Sequence, residues 1–114
     1  MPLKSQAPAS LRFLHDFTFD LVHDQAPDLS LRQIVVLLTV YLDNPPHTVR
    51  GLAAKLKVTK PVITRALDTM GRLDLLTRRR DPEDRRNVVV QRTEKGTRYV
   101  ERLGALVANA RDAR

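Results

Sequence analysis

The sequence predicts a mainly α-helical fold with a small β-wing, on three observations. The net charge of +7 sits entirely between His47 and Arg92, a stretch that holds twelve basic residues against five acidic ones. Within it, two short amphipathic patterns, each preceded by a threonine, are separated by a tight turn and followed by two strand-like runs with a charged connection. With three Phe, two Tyr and no Trp, the core must be built from Leu, Val, Ile and Ala, the usual filling between short packed helices. These features describe a winged helix-turn-helix flanked by N- and C-terminal helices. The 114 residues have room for one compact domain, expected over residues 10–114, behind a flexible leader at residues 1–9 that is low in apolar content and carries two prolines.

The elements follow in order. Ser10 is placed to cap a helix over Leu11 to about His23, in which Phe13, Leu14, Phe17 and Leu21 recur at three- and four-residue steps while Arg12, Asp16, Asp20 and Asp24 take the other face. Ser30 and Gln33 have capping-box spacing, so a second helix starts there and runs to about Asp43, where Pro45-Pro46 stops it. Its run Ile34 to Leu38 is apolar on nearly every side and suits a buried central helix, although Val and Ile leave a β-strand as the competing reading. Thr48 caps a short third helix over Val49 to Leu56 with Leu52, Ala53 and Leu56 inward, and Lys57-Val58 forms the turn. Thr59 caps a fourth, Lys60 to about Arg72, with Pro61 in the first turn, where a missing N–H does no harm. Val62, Ala66, Leu67 and Met70 are expected inward, and Lys60, Ile63, Thr64, Arg65 and Asp68 outward. Leu75–Arg80 and Asn87–Arg92 read as strands around a turn marked by Asp81-Pro82. Thr93 caps a last helix with an apolar stripe of Tyr99, Val100, Leu103, Leu106, Val107 and Ala110.

Several function classes drop out. No cysteine is present, which removes disulfides, thiolate metal sites and thiol-based redox sensing. The longest apolar stretch, Ile34 to Leu42, is far short of the ~20 residues of a membrane span, and no signal-peptide apolar region follows Met1, so a cytoplasmic protein without membrane contact is expected. No Ser/His/Asp set, phosphate loop or catalytic carboxylate pair is recognisable, and the expectation is no enzyme and no cofactor. Asp16, Asp20 and Asp24 share a helix face with His15 and His23 nearby, but an exposed polar face explains the same residues, and no metal site is assigned. His47 has no clustered partner and reads as a loop residue.

The charge excess implies a polyanionic partner, because neutralising phosphates releases condensed counterions. Two helices joined by a tight turn, the second opening with small polar and basic residues, suit reading of a major groove in double-stranded DNA. Arg65 is the candidate for a base contact, since a bidentate guanidinium on guanine is the commonest specific pairing; pairing with Asp68 is its bland alternative. Thr48, Thr59, Lys60 and Thr64 accompany it, Thr59 with a pure capping role as the alternative. Arg78, Arg79 and Arg80 are expected on phosphate, with a solvated charge run as the alternative. Arg85 and Arg86 at the hairpin tip suit a narrow minor groove, unless Asp81 or Asp84 neutralises one of them to shape the turn; both readings hold if one arginine is structural and the other inserted. The faces of Phe13, Phe17 and Leu21 and of Tyr99, Leu103, Leu106 and Val107 are core or dimer seam. So small a chain cannot easily bury both internally, which favours a homodimer.

The order of elements, with Leu52-Ala53-Ala54-Lys55-Leu56-Lys57-Val58-Thr59, Val62-Ile63-Thr64-Arg65-Ala66-Leu67 and above all Asp81-Pro82-Glu83-Asp84-Arg85-Arg86 before Thr93-Glu94-Lys95-Gly96, resembles the MarR (multiple antibiotic resistance regulator) family. The likeness covers about Leu29 to Gly96, and its wing motif is the selective part. It implies a dimeric transcription factor, usually a repressor, on pseudo-palindromic operators, with recognition helices in successive major grooves and wing tips in flanking minor grooves. It also implies a small aromatic-acid effector, for which no residue here specifies a site. Two departures stand out. Asp74 occupies the position before the wing where the family usually has Gly, and Asp tolerates the left-handed conformation better than most residues. The chain ends soon after Ala110, so the long paired C-terminal helices are represented by one helix at most.

Overall fold

The computed structural model describes residues 2, 4 and 7–113; residues 1, 3, 5 and 6 of the expected leader lie outside the described residues. The elements are α1 (Ala7–His23), α2 (Leu31–Leu42), β1 (His47–Thr48), α3 (Val49–Leu56), α4 (Lys60–Arg72), β2 (Leu76–Arg80), β3 (Val88–Arg92) and α5 (Glu94–Asp112). They form two compact units. Residues 29–100 carry α2 through β3 and the start of α5, and α1 groups with the part of α5 from Glu101 onward.

In the larger unit, both bonds of the predicted capping box are present: Gln33 N donates to Ser30 Oγ (3.2 Å) and Ser30 N to Gln33 Oε1 (2.8 Å). Helix therefore wins over strand in α2. Its burial is one-sided rather than all-round, with Val36, Leu37 and Val40 in the core and Leu31, Val35 and Leu42 exposed. The core continues through Leu52 and Ala53 of α3, Ile63, Ala66, Leu67 and Met70 of α4, and Leu75, Leu76 and Val90. Ile63 corrects the expected facing of α4. It is completely buried while Val62 is half-buried, because 63, 66, 67 and 70 form the i, i+3, i+4, i+7 stripe and 62 lies beside it.

The sheet has strand order β1-β3-β2, all antiparallel, with Leu76 opposite Arg92, Arg78 opposite Val90 and Arg80 opposite Val88. Strand β1 was not anticipated. His47, expected in a loop, pairs with Val90, is buried, and donates from Nε2 to the Asp43 carbonyl at 3.1 Å. Among the described residues two non-glycine residues are left-handed: Lys57, which ends α3, and Asp74, where the departure from Gly suggested it (both φ 58°).

A polar joint anchors the wing to α5. Tyr41 Oη donates to Leu75 O (2.9 Å) and accepts from Thr93 N (3.0 Å). Thr93 Oγ1 donates to Asp74 O (2.7 Å) and accepts from Gly96 N (2.8 Å), the cap expected of that threonine. Gly96 is needed there, because a Cβ would overlap both Tyr41 Oη and the Leu75 carbonyl oxygen.

In the smaller unit, α1 starts at Ala7, three residues before Ser10, with Ala7 N bonded to Lys4 O at 3.0 Å. Pro8 sits in the first turn, the one place a helix accepts it freely. Phe13, Phe17 and Leu21 are half-buried, and Leu11, Leu14, Phe19 and Val22 are exposed. On α5, Leu103, Leu106 and Ala110 are buried within the single chain and Val107 is half-buried. Arg102 Nη2 meets Asp24 Oδ1 at 3.0 Å, and Asp16 is taken by His15 Nδ1 at 2.9 Å. Among the described residues no three His, Asp or Glu side chains gather in a way that would hold a metal ion, and no helix is long and apolar enough to cross a membrane.

Candidate nucleic-acid interface

Helix α4 presents Lys60, Thr64, Arg65 and Asp68 on its exposed side because the 63/66/67/70 stripe fixes its rotation. Asp68, the only acidic residue of the helix, does not pair with Arg65. Its Oδ1 receives Arg78 Nη2 from β2 at 2.6 Å. Among the described residues the side chains of Arg65 and Lys60 have neither hydrogen bond nor ion pair, so both are available to a ligand. Thr59 holds the N-cap position without making a side-chain cap bond. Pro61 removes one of the usual donors, and the Thr59 carbonyl alone receives Val62 N and Ile63 N; the exposed hydroxyl is left over. Thr48 differs, being half-buried with Oγ1 committed to Gly51 N at 2.9 Å.

The three consecutive wing arginines separate by strand alternation and turn geometry. Arg78, on the sheet face that carries Leu76, goes to Asp68. Arg80 Nη1 donates to the Arg85 carbonyl (2.6 Å) and braces the hairpin tip. Arg79 lies on the opposite sheet face, exposed and without a polar partner among the described residues. Three further cations counted in the basic stretch also have structural partners: Lys55 pairs with Asp43, Arg72 Nη2 donates to Thr69 Oγ1 (3.2 Å), and Arg92 donates to Val40 O (2.9 Å) with its guanidinium over the Tyr41 ring.

At the tip, Asp81 Oδ1 accepts from Glu83 N (2.9 Å) and Asp81 N donates to Asn87 O (2.9 Å), which closes the turn. Asp84 accepts Arg86 N and Nε on Oδ1 (3.1 and 3.0 Å) and Arg86 Nη2 on Oδ2 (3.1 Å). These bonds, first the guanidinium and then the backbone N–H, hold the Asp84 carboxyl below its ordinary value, with Arg50 of α3 adding to the effect. The same pair raises Arg86. Arg86 is thus oriented by Asp84 yet 79% exposed, while Arg85 beside it is exposed and has no side-chain partner among the described residues. Arg50 is an addition to the expected set. It is exposed on α3 and close enough to the wing tip to act on Asp84; the sequence signal was an unpaired arginine two residues after a helix-capping threonine.

A short helix, a tight turn, a second helix with a basic exposed side and a hairpin with two arginines at its tip define a winged helix-turn-helix protein. The MarR family model matches residues 29–88, and the chain belongs to the MarR family, whose members are DNA-binding transcriptional regulators. No curated protein matches it in sequence. Among solved structures, it is similar to the transcriptional repressor CouR bound to a 23-mer DNA duplex (26% identity, TM-score 0.73, 98% of this chain and 84% of that one). It is also similar to the transcriptional regulator BldR from Sulfolobus solfataricus (26%, 0.65, 91% and 73%). The likeness to S. aureus MepR bound to ethidium bromide (20%, 0.75, 93% and 74%) is one of fold.

Proposed function

We propose that this chain is a sequence-specific transcriptional repressor that binds pseudo-palindromic operators in double-stranded DNA as a homodimer, in the cytoplasm. The observation that carries the reading is the unpartnered Arg65 on the exposed side of α4, beside Lys60, Thr64 and the unused Thr59 hydroxyl. An arginine without an internal partner at that place is positioned for a guanine edge in the major groove. Arg79 takes phosphate. Arg85, free, and Arg86, pre-oriented by Asp84, enter the flanking minor groove, whose negative potential attracts guanidinium groups. The likeness to a repressor solved on a DNA duplex supports the partner and the sign of regulation.

The homodimer rests on α1, where exposed Leu11, Leu14, Phe19 and Val22 flank the half-buried Phe13, Phe17 and Leu21. Half-buried Val107 of α5 adds to this seam, whereas Tyr99 packs against the core of the larger unit. Leu103 and Leu106, the remaining positions proposed for the seam, are buried within the single chain. A small aromatic acid is the effector class that family membership supports. The test is retention of sheared source-genome DNA on the purified protein at physiological salt, followed by sequencing. Discrete peaks that share an inverted repeat are expected. Uniform retention would instead make the protein an architectural DNA binder, and no retention a protein-interaction module.

A further inference from the structure

The exposed side of α4 carries an apparent conflict. Arg65 and Asp68 are three residues apart on one helical face, the spacing at which side chains pair, and an Arg65 held by Asp68 would be withdrawn from a base edge. Asp68 is instead turned to Arg78, which reaches from β2 to its Oδ1 at 2.6 Å. Each partner of this bridge therefore withholds the other from something: Arg78 keeps Asp68 from Arg65, and Asp68 keeps Arg78 from phosphate. Both side chains are partly exposed, Arg78 34% and Asp68 47%, so neither is a core element whose loss would unfold the chain. We infer that the Asp68–Arg78 pair is a selectivity device in which two positioning residues leave Arg65 free to read a base and hold back one cation from sequence-independent binding.

The inference rests on the DNA-binding reading and has consequences that a simple phosphate contact by Arg78 does not share. Loss of Asp68 releases a guanidinium to the backbone. Binding to a scrambled duplex then tightens, and the plot of log affinity against log salt steepens by about one unit, the value of one more neutralised phosphate. Loss of Arg78 lets Asp68 turn to Arg65, so the ratio of operator to scrambled affinity falls, about tenfold for the loss of one guanidinium–guanine contact. The salt slope on scrambled duplex stays where it was, because Arg78 was never on phosphate.

The deciding experiment compares wild type, D68A, R78A and the double variant D68A/R78A on an operator-containing duplex and its scrambled counterpart across a salt series. The expected results are a steeper slope for D68A and a lower selectivity ratio for R78A. In the double variant, which again leaves Arg65 without an acidic neighbour, the ratio returns to within about twofold of wild type. A shallower slope with an unchanged ratio in R78A would make Arg78 a phosphate contact. A double variant as unselective as R78A would make the pair a mere brace between wing and helix. Either result overturns the inference. A DNA-free readout separates it from the functional reading itself: the Arg65 Nε–H resonance should shift in R78A and return in the double variant even if no duplex is bound, and an unmoved resonance would sink the device on its own.

Discussion

Substituting Gly96→Ala sets two effects of opposite sign against each other at the joint between wing and α5. Helix propensity alone favours alanine by roughly 1 kcal/mol. The structure opposes it, because the new Cβ would overlap Tyr41 Oη and the Leu75 carbonyl oxygen. Tyr41 cannot simply swing aside, since its hydroxyl joins Leu75 O and Thr93 N, and the Leu75 oxygen belongs to the backbone. Overpacking of this kind costs ~1–3 kcal/mol. Displacing Tyr41 also gives up two hydrogen bonds at ~1 kcal/mol each and strands the Thr93 N–H. The net expectation is a destabilisation of about 2–4 kcal/mol, which at a urea m-value of ~1.5 kcal/mol/M lowers the unfolding midpoint by about 1–3 M. The companion variant Tyr41→Phe, which removes one of the two opposing oxygens, should cost less when added to Gly96→Ala than alone. A Gly96→Ala protein as stable as wild type, or costs that simply add, would refute the argument that Gly96 is kept for space.

Arg65→Ala should weaken binding to the operator and relax preference at one base position by ~1–3 kcal/mol, whereas Arg79→Ala should weaken all duplexes alike and make the salt slope shallower by about one unit; equal losses on operator and scrambled duplex for both would remove that division of roles. Thr93→Ala, which deletes the α5 cap and the bond to Asp74 O, should cost about 1–2 kcal/mol in denaturant unfolding, and a change within error would show that cap to be idle. Arg86 holds the Asp84 carboxyl below 3.8, so its contribution is complete at neutral pH and is lost only as the pH falls through that lowered value. In Arg86→Ala, a carboxyl titration followed by NMR should find the Asp84 midpoint moved up toward 3.8, and an unmoved midpoint would mean that the pair does not form in solution.

Features set by local chemistry were legible in the sequence. The Ser30/Gln33 box, the Thr48 and Thr93 caps and the charged hairpin each depend on neighbours a few residues away, and each is present; the left-handed Asp74 was pointed to by the resemblance. The winged helix-turn-helix followed from their order. What escaped depends on tertiary partners or on reading one signal too strictly. Pro8 suggested a leader, but proline in a first turn belongs to the helix. Val62 and Ile63 differ by one step on the helical wheel, and only the packed stripe decides between them. His47 gave no sign of a two-residue strand, because its pairing partner Val90 lies more than forty residues on. The candidate interface residues divide along the same line: exposure of Arg65 was readable from α4, whereas the capture of Arg78 by Asp68 and the effect of Arg50 on Asp84 arise only when wing and helices come together, and the bracing role of Arg80 only when the hairpin closes.

The central claim, that α4 reads bases while the wing tip enters a minor groove, is tested most directly by chemical footprinting on a duplex recovered from the genomic retention experiment. The prediction is protection of guanine N7 in two major-groove segments about one helical turn apart, with flanking minor-groove protection, and loss of the guanine protection alone in Arg65→Ala. Backbone protection spread evenly along the duplex, unchanged by that substitution, would contradict it.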